Sequence, residues 1–113
     1  MKKSTVIFMM SLLVLLLGWN SDPTVNTPVC TESGMQSAPR IVTDGSGGGI
    51  IVWRDGRSGN YDIYAQRLNA SGIEQWTPGG VVVCGNAGGQ YAPMLIPDGS
   101  GGAVVTWYDY RDL

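Results

Sequence analysis

The 113-residue chain has 17 Gly and 6 Pro, is 43% apolar and 14% charged, and carries a net charge of −2. That length holds at most one modest domain, and the apolar fraction is too high for a disordered chain. There is no His and no Lys beyond Lys3, which excludes Ser-His-Asp and Cys-His catalysis, removes the commonest metal ligand and leaves no basic stripe for nucleic acid.

The chain opens "MKKSTVIFMMSLLVLLLGWNSD". Lys2 and Lys3 precede an apolar run from Val6 to Leu17, interrupted only by Ser11. A membrane span needs about 20 apolar residues, whereas a signal-peptide core needs about 7–15. Residues 1–21 therefore read as a bacterial-style export signal. An uncleaved N-terminal anchor is the alternative, because no Ala-x-Ala cleavage pattern follows. No Cys follows "LLLG", so the segment is not a lipoprotein signal. Without the two leader lysines the net charge of −2 becomes −4. Residues 22–28 form a linker.

From residue 29 onward, strand and turn signals alternate and no helical pattern occurs. "APRIVT" (38–43) reads as a strand opened by Pro39, a tolerated place for proline. "DGSGG" (44–48) is a hairpin turn, in which Asp and Gly supply the positive-φ positions. "GIIVWR" (49–54) is the second strand and "DGRSGN" (55–60) the second turn. "YDIYAQRL" (61–68) is a third strand rich in aromatic and branched residues. "NASG" (69–72) turns again, and Val81–Cys84 is the fourth strand. "GIIVW" and "VVVC" are apolar on both faces, as suits a sheet placed between two neighbours.

The stretch 83–111 then repeats 29–57 at an offset of 54 without a gap, with 14 of 29 positions identical, among them Cys30/Cys84, Pro39/Pro93, Trp53/Trp107, Asp55/Asp109 and Arg57/Arg111. Glycine-rich composition alone does not keep Cys, Pro, Trp and Arg in step. A period near 50 points to propellers or solenoids, and four antiparallel strands per period is the content of one propeller blade. The expected fold is all-β, with four-stranded antiparallel β-propeller-like blades: a first repeat over 29–82 and an incomplete second over 83–113.

The unit "DGSGG…W-x-D-x-R…DIYAQR" resembles the propeller-type repeats of large secreted and cell-surface bacterial proteins, over 29–113. That resemblance implies several further repeats, in cis or by self-association, and a place outside the cytoplasm. The hairpin resembles more loosely the Asp box of sialidase-like propellers, but "TDGSGGGIIVW" departs from Ser-x-Asp-x-Gly-x-Thr-Trp in spacing, and sialidase chemistry is not carried over.

Each polar candidate has a scaffold reading beside its functional one. Asp55 and Arg57, recurring as Asp109 and Arg111, cap a turn, with Arg57 reaching a carboxylate such as Asp62; the functional reading is a ligand-facing ring of arginines. One copy per blade is the behaviour of scaffold residues. Asp44 and Asp98 read as Asx turns. A calcium loop would need 6–8 oxygens, and each loop has a single carboxylate. Cys30 and Cys84 are an even pair in an exported chain, which suggests a disulfide. Equivalent positions on adjacent blades lie about 10 Å apart, however, beyond the roughly 7 Å a disulfide spans. Two free thiols are expected unless the positions converge near the ring axis. Trp53, Trp76, Trp107 and the tyrosines pack between blades or stack on sugars. Asn69-Ala70-Ser71 matches a glycosylation sequon inside a hairpin loop.

No catalytic, cofactor-binding or metal-binding residue is assigned. The expected function is a non-enzymatic exported repeat module for binding, adhesion or surface display, whose partners are further repeats, a second copy, or a cell-surface glycan or protein, and not nucleic acid. The alternative is a piece of a carbohydrate-active propeller enzyme, which would need two facing acids among Asp55, Asp62, Glu74 and Asp109.

Overall fold

The computed structural model describes residues 22–112. The leader reading falls on residues 1–21, outside the described residues. Six strands follow in order: β1 (Gln36–Thr43), β2 (Gly49–Asp55), β3 (Asp62–Leu68), β4 (Val81–Cys84), β5 (Gln90–Pro97) and β6 (Ala103–Asp109). The first four form one antiparallel sheet in the order β1-β2-β3-β4, and β5-β6 form a separate hairpin. The fold is all-β, as expected.

The strands lie close to the expected bounds, with one instructive difference. β1 begins at Gln36, two residues before the expected start, and Pro39 sits inside it. Proline has no N–H for the ladder, and the ladder steps around it: pairing runs from Ser37↔Arg54 to Arg40↔Val52, so a bulge absorbs Ala38 and Pro39. Ala38 takes a φ of 51°, rare for a residue with a Cβ. The same bulge recurs in β5 between Tyr91 and Met94, with Ala92 at φ 52°.

Alternation gives β2 two faces. Ile51, Trp53 and Asp55 share one, here the Trp face, with Tyr64 and Leu68 of β3. Ile50, Val52 and Arg54 share the other, the Val face, with Ile63 and Ala65. β2 is buried on both faces, which agrees with its unbroken apolar run. On the Trp face, Ile51, Trp53 and Leu68 form a core against which Val29 and Cys30 pack. On the Val face lies the β5–β6 hairpin, running against β1, β2 and β3. Ile50, Ala65, Val81 and Val83 line a cleft there with Ala103 and Val105 of the hairpin. The Gln90 N–H donates to the Tyr61 carbonyl at 2.7 Å and ties the hairpin to the sheet.

The "DGSGG" turn requires glycine at a specific point. A Cβ on Gly48 would run into the Leu68 carbonyl and approach Asp44 Oδ2 at 2.8 Å. The tip of the β1–β2 hairpin is thus pressed against the end of β3, and only a bare backbone fits there.

Candidate functional site

The polar residues of the repeat converge on Asp55. Its carboxylate is fully buried at the end of β2 and takes four donors. The Trp53 indole N–H reaches Oδ2 at 2.7 Å, and the Arg57 amide reaches Oδ1 at 2.9 Å. The Arg57 guanidinium forks onto both oxygens, Nε to Oδ1 at 2.9 Å and Nη2 to Oδ2 at 2.6 Å. The same Nη2 donates to the Gly79 carbonyl at 2.8 Å and touches Cys30 Sγ at 3.2 Å. The guanidinium carbon lies 4.0 Å from the centre of the Tyr64 ring, which in turn stacks on Trp53. One arginine therefore joins the β2–β3 turn, the β3–β4 connection and the segment before β1.

Burial pushes the Asp55 carboxyl up, but the hydrogen bonds from Arg57 and Trp53 outweigh it and hold the group below the ordinary aspartate range. Hydrogen bonding to that carboxylate raises Arg57 in turn. A carboxylate with four donors and a depressed pKa neither gives nor takes a proton near neutral pH, and it does not serve as a general acid or base.

The expected reach of Arg57 to Asp62 is corrected: the side chain folds back on Asp55, two residues away, because bidentate geometry is met there. Asp62 instead accepts from the Ser58 hydroxyl at 2.6 Å. Asp55 and Asp62 are nonetheless direct cross-strand partners, a juxtaposition the sequence did not suggest. Both are buried, and Asp55 is saturated, so neither is open to a substrate.

At Asp109 three of the four donors recur. Trp107 Nε1 donates to Oδ2 at 3.3 Å, the Arg111 amide donates to Oδ1 at 3.0 Å, and the Arg111 guanidinium closes on Oδ2. The hydrogen bond from Arg111 leads the causes that depress Asp109. Cys84 Sγ lies 3.7 Å from both Asp109 Oδ2 and Arg111 Nη2, in the place Cys30 takes beside Arg57. Both cysteines are free thiols.

Asp44 and Asp98 form the expected Asx turns. Asp44 Oδ1 accepts the Ser46 and Gly48 amides at 2.8 and 2.9 Å, and Asp98 Oδ1 accepts those of Ser100 and Gly102 at 2.7 and 2.9 Å. These backbone bonds, led by Ser46 and by Ser100, lower both groups. Asp44 also pairs with Arg67 Nη2 at 3.0 Å. Asn69 Oδ1 accepts the Ser71 and Ile73 amides at 2.9 and 3.0 Å, which makes the sequon a structural turn.

Two features had no counterpart in the sequence reading. Gln66, fully buried in β3, accepts the Arg67 and Trp76 amides at Oε1 and donates to the Thr77 carbonyl, pinning the β3–β4 connection. A polar side chain between Tyr64 and Leu68 on one face of the strand, opposite Ile51, was the available signal. Secondly, Arg54 lies 4.2 Å from the centre of the Tyr61 ring and 5.3 Å from that of Tyr91, and Tyr91 meets Tyr61 and Tyr110 edge to face. These aromatics lie at the junction of sheet and hairpin, and Gly89, Tyr91 and Tyr110 line an open cleft there. Among the described residues no group of three His, Cys, Asp or Glu side chains could hold a metal.

The fold and these clusters define an all-β protein in which one ionic cluster is built twice, on the Trp face of the sheet and on the equivalent side of the hairpin. No family model, no curated protein and no solved structure matches the chain.

Proposed function

We propose that the chain is a non-enzymatic, exported repeat module of β-propeller type that serves binding, adhesion or display at the cell surface. One observation carries this reading. The Trp-Asp-Arg-Cys cluster around Asp55 is built again around Asp109 from residues 54 positions on, and in both places the Asp and the Arg pair with each other. A catalytic centre is built once; a cluster made in each unit is part of how the units stand beside one another. Export rests on the Lys2-Lys3 start and the short apolar core after it. The net charge of −2 favours a glycan or protein partner over nucleic acid.

Two measurements test the reading. Intact-mass analysis of exported material should give a chain starting near Asp22, and unprocessed chain in the membrane fraction would argue for the anchor instead. A longer chain with segment 29–82 added in tandem to give several units should melt cooperatively as a monomer. Failure to gain cooperativity with added units would refute the repeat reading.

A further inference from the structure

The sheet and the hairpin expose two different surfaces, and each matches one half of the interface that joins them inside the chain. Between sheet and hairpin, β5 runs against β1, β2 and β3 on the Val face of the sheet; Ile50 and Ala65 line a cleft with Ala103 and Val105 of β6, and Cys84 of β4 touches Asp109 and Arg111. Ile50 is there only 2% exposed.

The hairpin has a Val face of its own, 54 residues on. Register puts Met94 opposite Thr106 and Ile96 opposite Val104, all on the side turned away from the sheet. Val104, the counterpart of Ile50, is 52% exposed, and Met94, Ile96 and Tyr108 are exposed around it. At the other end the Trp face of the sheet is only partly covered. Gln36, Ser37 and Pro39 line an open cleft of about 210 Å³ with Val29, Cys30, Ile51 and Trp53. Ile41 beside it is 63% exposed, and Pro39 is exposed. Their counterparts on the hairpin, where the sheet covers them, behave differently: Pro93 is fully buried and Leu95 half-buried. Each bare surface is the equivalent of one that is covered within the same chain.

We infer that a second copy of this chain seats the Trp face of its sheet (Ile41, Pro39 and the cleft beside them) on the Val face of the hairpin (Met94, Ile96, Val104, Tyr108), head to tail. The contact repeats the intrachain one, so apolar side chains of the same kind meet in the same arrangement. The copy also brings what the hairpin has no equivalent of among the described residues. Within the chain, Val83-Cys84 of β4 lies beside the Trp107 cluster. In the copy, its own Val29-Cys30 already fills that place beside Trp53 and Arg57. The interface is heterologous, so association continues into a ring or a filament. This inference rests on the repeat reading proposed above, but not on closure into a propeller.

The test uses the full chain and two variants, Ile96→Glu on the hairpin face and Ile41→Glu on the sheet face. Both side chains are exposed, so each variant should keep the wild-type circular dichroism spectrum. In light scattering, wild type should form species larger than a dimer as concentration rises. Each variant alone should stay monomeric. An equimolar mixture should form a dimer of about twice the mass, because each variant supplies the surface the other lacks. The inference is overturned if wild type stays monomeric at high concentration. It is also overturned if Ile96→Glu dissociates the assembly while Ile41→Glu leaves it intact, since the hairpin face would then pair with itself. Failure of the mixture to dimerise would overturn it too. The tandem-unit melt can succeed in any of these cases, so failure of this interface is distinguishable from failure of the repeat reading.

Discussion

Replacing Asp55 by Asn changes one oxygen to an NH2 group and removes the charge at the centre of the Arg57 cluster. In the folded protein Oδ2 receives the Trp53 indole and Arg57 Nη2, and Oδ1 receives the Arg57 amide and Nε. The amide oxygen of Asn satisfies one pair of donors, and its NH2 then faces the other pair. Removing one member of a buried ion pair costs about 3–5 kcal/mol. The Arg57 side chain is 18% exposed and keeps its bond to the Gly79 carbonyl, so the lower end, about 3 kcal/mol, applies here. For a domain of this size, 1 kcal/mol moves the melting midpoint by about 4–8 °C, which predicts a fall of roughly 12–24 °C.

Asp109→Asn is the internal control. It makes the same chemical change in the same local sequence, but Asp109 and Arg111 side chains are 20% and 45% exposed, and water replaces much of what is lost. Its midpoint should fall by only a small fraction of the Asp55→Asn value. Differential scanning calorimetry at matched protein concentration measures both. Equal shifts, or a loss under about 2 °C for Asp55→Asn, would refute the argument that burial of the ion pair sets its strength. Acid supplies a second check. Asp55 is held below its ordinary value when folded, so its contribution is complete above the unfolded aspartate pKa of about 3.9 and fades as pH falls through the lower folded value. The gap between wild type and Asp55→Asn should be constant from about pH 5 to 8 and narrow below about pH 4.

Trp53→Ala should cost about 3–5 kcal/mol in urea melts, because it empties the core position against Ile51 and Leu68. Asp44→Asn, which keeps the Oδ1 acceptor of the turn, should cost far less, and the reverse order would revive a calcium reading of "DGSGG". Gly48→Ala should destabilise much more than Gly45→Ala: the first drives a methyl into the Leu68 carbonyl, whereas the second meets open space and pays only for a φ of +77°; thermal melts rank them. Alkylation of denatured protein without reductant should label both Cys30 and Cys84, and a mass showing no adduct would mean that they pair.

The four strands of the sheet were legible because each carries its own signal. "DGSGG" announces a turn by chemistry that works locally, and the structure closes it with bonds from Asp44 to its own loop. β2 was legible as buried on both faces from "GIIVW" alone. The partner of Arg57 was not. Asp55 and Asp62 are both close to Arg57 in sequence, and only the fold of the β2–β3 turn decides that the nearer one receives both Nε and Nη2. The bulge at Ala38-Pro39 was not legible, because a proline suits the start of a strand and a strand can equally step around it.

What one sequence position cannot carry is the state of its neighbour. Gln36 and Gln90 are the same residue in the same local context, 54 positions apart. Gln36 is half-buried and donates to the Ser33 carbonyl at 3.3 Å. Gln90 is fully buried and its amide nitrogen reaches the Asn86 and Gly88 carbonyls at 3.2 Å. Local sequence dictates nearly equal backbones at the two places, as the paired φ values of Ala38 and Ala92 attest. The difference lies in what stands against them: the β3 end of the sheet against Gln90, whose N–H binds the Tyr61 carbonyl, and only the chain segment from Val29 to Ser33 near Gln36. Local sequence determines the strand pair at both places, and burial follows from what lies beside it. The exposed apolar residues at the two ends are therefore where the remaining information about function resides.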